Sequence, residues 1–181
     1  QEGLRIRVAV NLSASHFQHV LLLEQVAACL EESGLPAELL ELEVTESCIM
    51  ADVDGAICTL RALKELGVTL SVDDFGTGYS SLSYLKLFPL DKLKIDQSFV
   101  NDLTSSKNDA AIVHAIIALG HAIGLTVIAE GVETQAQFAL LHSLQCDEMQ
   151  GFLYAKPTEP ERLPALLHQI AELFHQHHAL H

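Results

Sequence analysis

The sequence is short of positive charge: 10 lysines and arginines face 24 aspartates and glutamates, a formal net charge of −14 at pH 7. A surface that coats nucleic acid needs clustered Lys and Arg to replace phosphate counterions, so that class of partner is excluded. Long hydrophobic runs are also missing. No apolar stretch reaches the ~18 to 20 residues of a membrane span, and no signal peptide opens the chain. Cysteine is sparse and unpatterned, since Cys29, Cys48, Cys58 and Cys146 show no C-x-x-C spacing. A chain of this size does not depend on disulfides, and these read as reduced thiols of a cytoplasmic domain. What remains is an ordinary globular composition, 181 residues with 49% hydrophobic and 19% charged. That is enough for one domain with a sizeable core. The chain opens on Gln1 rather than Met, which suggests a piece of something longer. Its acidic excess would repel a phosphate-bearing substrate unless bound divalent cations reversed the local sign.

Short β-branched runs alternate with longer helical patterns. The strand-like runs are Arg5–Asn11, Leu40–Thr45, Thr69–Asp73, Lys92–Asp96, Thr126–Ala129 and Met149–Leu153, apolar and short as buried parallel strands are. Between them, Leu21–Glu32, Asp54–Leu66, Ala110–Ile123 and Thr134–Leu144 carry apolar residues at helical spacing, and Gly34, Gly67 and Gly124 supply helix stops. Alternation of this kind means parallel strands joined by crossover helices. In a doubly wound open sheet only a few strand ends carry chemistry, whereas in a barrel all of them face one centre. Here every run ends in polar residues: Asn11, Glu43 with Glu46, Asp73–Asp74, Lys94 with Asp96, Glu130 with Glu133, and Gln150. The fold class predicted is therefore α/β, of the (β/α)8 TIM-barrel type. A full barrel takes about 250 residues, or ~31 per unit. Asn11 to Glu43 spans 32 residues and Glu43 to Asp73 spans 30. About six of eight units are thus expected, with the missing ones N-terminal. Residues 1–165 would form the domain and 166–181 a C-terminal helix or tail.

Asn11, Glu43, Asp73, Asp74 and Glu130 are oxygen donors at the same end of consecutive strands. Hard cations such as Mg²⁺ prefer oxygen ligands, and an aspartate pair can bridge two of them. Two such ions stabilise both the attacking and leaving oxygens of a phosphoryl displacement, and Lys94 adds a charge that can orient a water or neutralise the transition state. Each element alone has a plainer reading. Asp-Asp before Phe-Gly is often a turn, Lys94 could pair with Asp96 or form a Schiff base, and Glu130-Gly-Val-Glu133 could be a strand-to-helix cap. Their joint occurrence in order favours the site.

At these residues the chain closely resembles the EAL-domain family, phosphodiesterases of the bacterial messenger cyclic di-GMP. The resemblance rests on Asn11-Leu-Ser, Glu43-Val-Thr-Glu46-Ser, Asp73-Asp-Phe-Gly-Thr-Gly-Tyr-Ser-Ser-Leu, Lys94-Ile-Asp96 with Ser98-Phe99-Val100, Ala129-Glu-Gly-Val-Glu133-Thr, and Gln150-Gly-Phe-Leu-Tyr-Ala-Lys-Pro157. It implies that Asn11, Glu43, Asp73, Asp74 and Glu130 hold two Mg²⁺ or Mn²⁺ ions, with Asp73 bridging. It implies that Lys94 contacts the nucleophilic water and that Glu133 and Gln150 support the shell around it. Glu46 would hold the loop Phe75–Ser81, whose Gly76 and Gly78 give it freedom to gate, and Asp96 would belong to the same substrate-and-loop group. The reaction implied opens one phosphodiester of cyclic di-GMP to linear pGpG. A homodimer and an upstream sensory or diguanylate-cyclase-like (GGDEF) domain are implied as partners.

The sequence departs from the family at its eponym: no Glu-Ala-Leu occurs. That glutamate is itself a metal ligand in the family, so the chain as given is expected to have a broken metal site, and its first strand to present an open edge. The rival reading is a catalytically silent module that binds cyclic di-GMP or a partner protein. A lyase using Lys94 would leave the oxygen donors unexplained. His168, His175, His177, His178 and His181 read as a solvated helix end, His114 and His121 as packing or surface residues. Phe99, Phe152 and Tyr154 could stack on a guanine, although strand-end aromatics more often belong to the core.

Overall fold

A computed structural model describes residues 6–78, 82–167 and 170. The element order is β1 (Val8–Leu12), α1 (Ala14–Phe17), α2 (Leu22–Ser33), β2 (Leu40–Thr45), α3 (Glu46–Met50), α4 (Val53–Glu65), β3 (Thr69–Phe75), α5 (Leu82–Leu85), β4 (Lys92–Ile95), α6 (Gln97–Asn101), α7 (Lys107–Ala122), β5 (Thr126–Ala129), α8 (Gln135–Ser143) and β6 (Glu148–Met149). The strands form one parallel sheet in the order β1-β2-β3-β4-β5-β6. This is the α/β alternation the hydrophobic pattern predicts, with six strands of a barrel-type fold. No helix among the described residues is long and apolar enough to cross a membrane.

Side chains alternate across a strand, and here the two faces differ in kind. Leu42, Val44, Leu70, Val72, Leu93, Ile95, Val127 and Ala129 are buried in the core that also holds Leu60, Leu63, Val113, Ile117 and Leu141 of the helices. The alternate positions are polar yet also buried: Glu41, Glu43, Ser71, Asp73, Lys92 and Lys94. Polar side chains of non-neighbouring strands meet, so the sheet curls around them. Lys92 of β4 reaches Glu41 of β2 at 3.2 Å and Glu148 of β6 at 2.7 Å. Arg7, just before β1, lies 3.7 Å from Glu41 and 4.0 Å from Glu148. β1, at the end of the strand order, leaves Ile6, Val8 and Val10 between 41% and 46% exposed.

Two aspartates fasten the amino-terminal ends of the strands in the same way. Asp91, one residue before β4, accepts the Leu70 N–H at 2.8 Å and pairs with Lys64 of α4 at 2.8 Å. Asp147, one residue before β6, accepts the Val127 N–H at 2.8 Å and meets His121 of α7 at 2.9 Å. Each carboxylate thereby joins a strand to its neighbour and to the helix that precedes that neighbour in the chain.

The expected boundaries hold for most elements, and Gly34, Gly67 and Gly124 follow their helices in the left-handed conformation. Three expectations are corrected. The sixth strand is Glu148–Met149, not Met149–Leu153, because the Leu153 N–H bonds Val132 O at 2.9 Å and the chain turns over the β5–α8 loop. Asp96 ends the strand run and caps α6, accepting the Ser98 N–H at 2.9 Å. The first strand starts at Val8, while Arg5 lies outside the described residues. Helices α1, α3, α5 and α6 are too short for periodicity to announce. The cysteines are all free, Cys48 and Cys146 buried, Cys29 and Cys58 exposed. His168, His175, His177, His178 and His181 lie outside the described residues.

Candidate active site at the carboxyl ends of the strands

Lys94 organises the site. Its side chain is 3% exposed, and its Nζ lies 2.6 Å from Glu130 Oε1, 2.7 Å from Glu43 Oε2 and 3.4 Å from Asp73 Oδ1. These acids come from the end of β5, from β2 and from β3. The two-residue period of each strand turns them to one side, and curling of the sheet closes the distance. Burial alone would lower the Lys94 pKa. The hydrogen bonds to Glu130 and Glu43 and the charges of Glu130 and Asp73 outweigh it, so the ammonium is held well above its ordinary value and stays charged. Glu130 is raised: burial is the main cause, Lys94 opposes it, and Asp73 and Glu43 add to it.

Asp74 departs from regular strand geometry. Its φ is +54°, a conformation Asp tolerates better than most residues, and the β3–β4 register shifts between Val72 and Phe75. Its N–H donates to Asp73 Oδ1 at 2.9 Å. Burial, the charges of Asp73 and Asp96 and a hydrogen bond with Asp96 raise its carboxyl pKa, against a lowering by Lys94. Lys94 does not take Asp96 as its partner; that carboxylate serves Ser98 and stands beside Asp74.

The remaining predicted residues surround this group. Asn11 of β1 is exposed and registers opposite Glu43. Glu46, 4% exposed, accepts the Gly76 N–H at 3.2 Å. A Cβ on Gly78 would lie 3.2 Å from Glu46 Oε1, so the loop lies close against the carboxylate. Residues 79–81 of that loop lie outside the described residues. Gln150 is exposed, and its N–H bonds Ala129 O at 2.9 Å, beside Glu130. Glu133 is exposed, its N–H bonded to Gln137 Oε1 at 2.9 Å. The helix cap here is Thr134 with Gln137, a reciprocal capping box.

Sequence reasoning missed two things. Gln137 is 5% exposed and its Nε2 donates to Val100 O at 3.0 Å, tying α8 to α6. The Thr134-x-x-Gln137 pattern could have found it. Beneath the site lies a second charged layer of Arg7, Glu41, Lys92 and Glu148 around a cavity of about 220 Å³ that also reaches Glu43 and Gln150. Its signal was a charged residue two positions before a site residue on three strands: Glu41/Glu43, Lys92/Lys94 and Glu148/Gln150.

Among the described residues no three Asp, Glu, His or Cys side chains stand as a ready-made metal cage. The carboxylates close on the Lys94 ammonium instead. The donor chemistry nonetheless fits a hard divalent cation. Every candidate ligand is an oxygen, three carboxylates (Glu43, Asp73 and Glu130) share one ammonium with Asp74 and Asp96 beside them, and Asp74 and Glu130 carry raised pKa values. A cation would offset that unbalanced negative charge.

Comparison with known proteins gives consistent matches. The model of the "EAL domain" matches residues 1–157. The chain is 50% identical over 153 residues to the cyclic di-GMP phosphodiesterase NbdA of Pseudomonas aeruginosa, covering 84% of this chain and 20% of that protein. The solved "PaMucR Phosphodiesterase, c-di-GMP complex" superposes with a TM-score of 0.85 at 49% identity, covering 87% of this chain and 64% of that one. A Klebsiella pneumoniae BlrP1 structure, a manganese/cy-diGMP complex, superposes with a TM-score of 0.77 at 36% identity, covering 83% of this chain and 39% of that one. The chain thus spans about a fifth of the length of NbdA.

Proposed function

Because this chain belongs to the EAL domain family, we propose that it is the catalytic part of a metal-dependent phosphodiesterase that hydrolyses cyclic di-GMP to linear pGpG. The observation that carries the proposal is the buried Lys94 ammonium gripping carboxylates from three strands at one end of the sheet. Asn11, Glu43, Asp73, Asp74 and Glu130 would hold Mg²⁺ or Mn²⁺. When bound, the cations supply charge for the phosphoryl oxygens and lower the pKa of water.

The chain's own residues do the rest. Lys94 keeps its proton at Nζ, and its ammonium faces the place where negative charge develops as water oxygen bonds to phosphorus and the opposite P–O bond breaks. Its rigidity comes from Glu43, Asp73 and Glu130, so it needs no reorganisation during the reaction. Glu133 and Gln150, on the loops after β5 and β6, complete the polar ring around the attacking water. Glu46 fixes the Gly76–Gly78 segment over the site, and Asp96 holds the start of α6 beside Asp74. The whole protein would work in the cytoplasm as a homodimer beside an upstream sensory or GGDEF domain, in keeping with the small share of NbdA that this chain spans.

The test is turnover of cyclic di-GMP by the full-length protein, followed as appearance of pGpG with Mg²⁺ or Mn²⁺ and again after chelation. Metal-dependent turnover, lost in Glu130→Ala, is expected. Tight binding of cyclic di-GMP without pGpG would make the domain a silent receptor and overturn the catalytic assignment.

A further inference from the structure

Glu41 and Lys92 are charged residues that the proposed chemistry leaves unused, and they are as buried as those it uses. Their side chains are 5% and 6% exposed and meet at 3.2 Å. The pair repeats, one layer down, the contact above it. Glu41 and Glu43 are two positions apart on β2, Lys92 and Lys94 are two apart on β4, and Lys94 meets Glu43 at 2.7 Å. Both contacts cross β3, which places Ser71 in register with Glu43 on one side and Lys92 on the other. Ser71 is fully buried, and its hydroxyl has no hydrogen-bond partner among the described residues. At this point β3 thus puts no charge between the two layers.

Stability is a poor account of the lower pair. A buried ion pair loses by desolvation about what it gains by attraction, and apolar residues of similar volume serve a core as well or better. What the pair supplies is charge of both signs beneath the acids. The lower layer sets Arg7 and Lys92 against Glu41 and Glu148, whereas the upper sets Glu43, Asp73 and Glu130 against Lys94 alone. The side chains of Arg7 and Glu148 are 43% and 44% exposed, where solvent screens them, so the field felt above comes mainly from Glu41 and Lys92. Removing either charge leaves the layer unbalanced by one, however the remaining side chains rearrange. Loss of Lys92 would also draw Lys94 toward Glu41 and away from its acids, and loss of the Glu41 charge would free Lys92 to approach Glu43. Rearrangement therefore adds to the effect of charge instead of cancelling it.

We propose that Glu41 and Lys92 form a balancing layer that sets how tightly the acids above them hold a divalent cation. Both are positioning residues, acting through Glu43 and Lys94. The inference rests on the metal-dependent reading of the site and deepens it.

The test is calorimetric titration of the full-length protein with Mn²⁺, without cyclic di-GMP. Residues two apart on a strand lie ~6.6 Å apart. At that separation a unit charge changes the affinity for a divalent ion by about five- to tenfold even at the dielectric constant of water. Lys92→Met should tighten Mn²⁺ binding by about fivefold or more, and Glu41→Gln should weaken it as much. The double variant should return to within about twofold of wild type. A merely structural role would weaken binding in both single variants and more in the double. Glu41→Gln preserves the shape of its side chain, so if Lys92→Met fails to fold, weakening in Glu41→Gln and its reversal in the double variant decide the matter. Unchanged affinity in every variant, or weakening in both single ones, overturns the balancing layer and leaves the metal site standing. Absence of Mn²⁺ binding in the wild-type protein overturns the metal-dependent reading, and the layer's role with it.

Discussion

Replacing Lys94 by Met tests the charge balance of the site. The substitution keeps an unbranched side chain as far as Cε and removes the ammonium shared by Glu130 at 2.6 Å, Glu43 at 2.7 Å and Asp73 at 3.4 Å. The side chains of Glu43, Asp73 and Glu130 are only 6%, 12% and 19% exposed, so water cannot take over their solvation. Removing one partner of a buried ion pair costs about 3–5 kcal/mol. Glu130, whose pKa is already raised, can shed its charge by taking up a proton, which puts the loss near the lower end, about 3 kcal/mol. For a chain of this length that lowers Tm by about 6–12 °C. The assay is thermal and urea unfolding of wild type and variant, in chelator and in Mn²⁺. A cation that binds only the folded state stabilises it by about 2.7 kcal/mol at a hundredfold excess over its Kd. Mn²⁺ should therefore recover most of the loss, and should stabilise the variant more than the wild type, where the ammonium competes with the ion. A variant as stable as wild type in chelator, or one indifferent to Mn²⁺, would refute this account.

Two further perturbations probe other parts of the molecule. The Asp74 carboxyl binds its proton more tightly folded than unfolded, so its ionisation lowers stability as pH rises through the raised value. Asp74→Asn should melt higher than wild type at pH 7 in chelator, and the gain should vanish below the ordinary carboxylate range of about 4; a Tm difference independent of pH would contradict this. Asp91→Ala leaves the Leu70 N–H without its acceptor and Lys64 with only the Val68 carbonyl at 3.1 Å, and the urea midpoint should register a loss of about 1–3 kcal/mol. Its KM for cyclic di-GMP should equal that of wild type, because Asp91 sits at the end of the strands away from Lys94.

Legibility in the sequence followed the range of the interaction. Strands buried against helices show as short apolar runs, and five of the six lie within a few residues of those runs. The sixth is shorter than its run because Phe152–Leu153 has strand-like composition, while the bonds that turn the chain there come from Val132, about twenty positions away. Gathering Glu43, Asp73, Lys94 and Glu130 needed only the rule that strand ends of a curled parallel sheet converge. That Lys94 would close on three of those acids was not legible, since its nearest acid in sequence, Asp96, turns away to cap α6. The lower charged layer was hidden for a different reason. Glu41 and Lys92 interrupt otherwise apolar strands, and local patterning assigns such residues to solvent unless the opposing charges across the sheet are known.

The matching aspartates Asp91 and Asp147 have an evolutionary consequence. They put the alignment of the strands under the care of side chains at the end away from Lys94. Side chains at the far mouth can then drift: an acid lost there would abolish the proposed hydrolysis, and the scaffold would endure the loss. A lineage built this way can turn an enzyme into a receptor by a few surface-facing replacements.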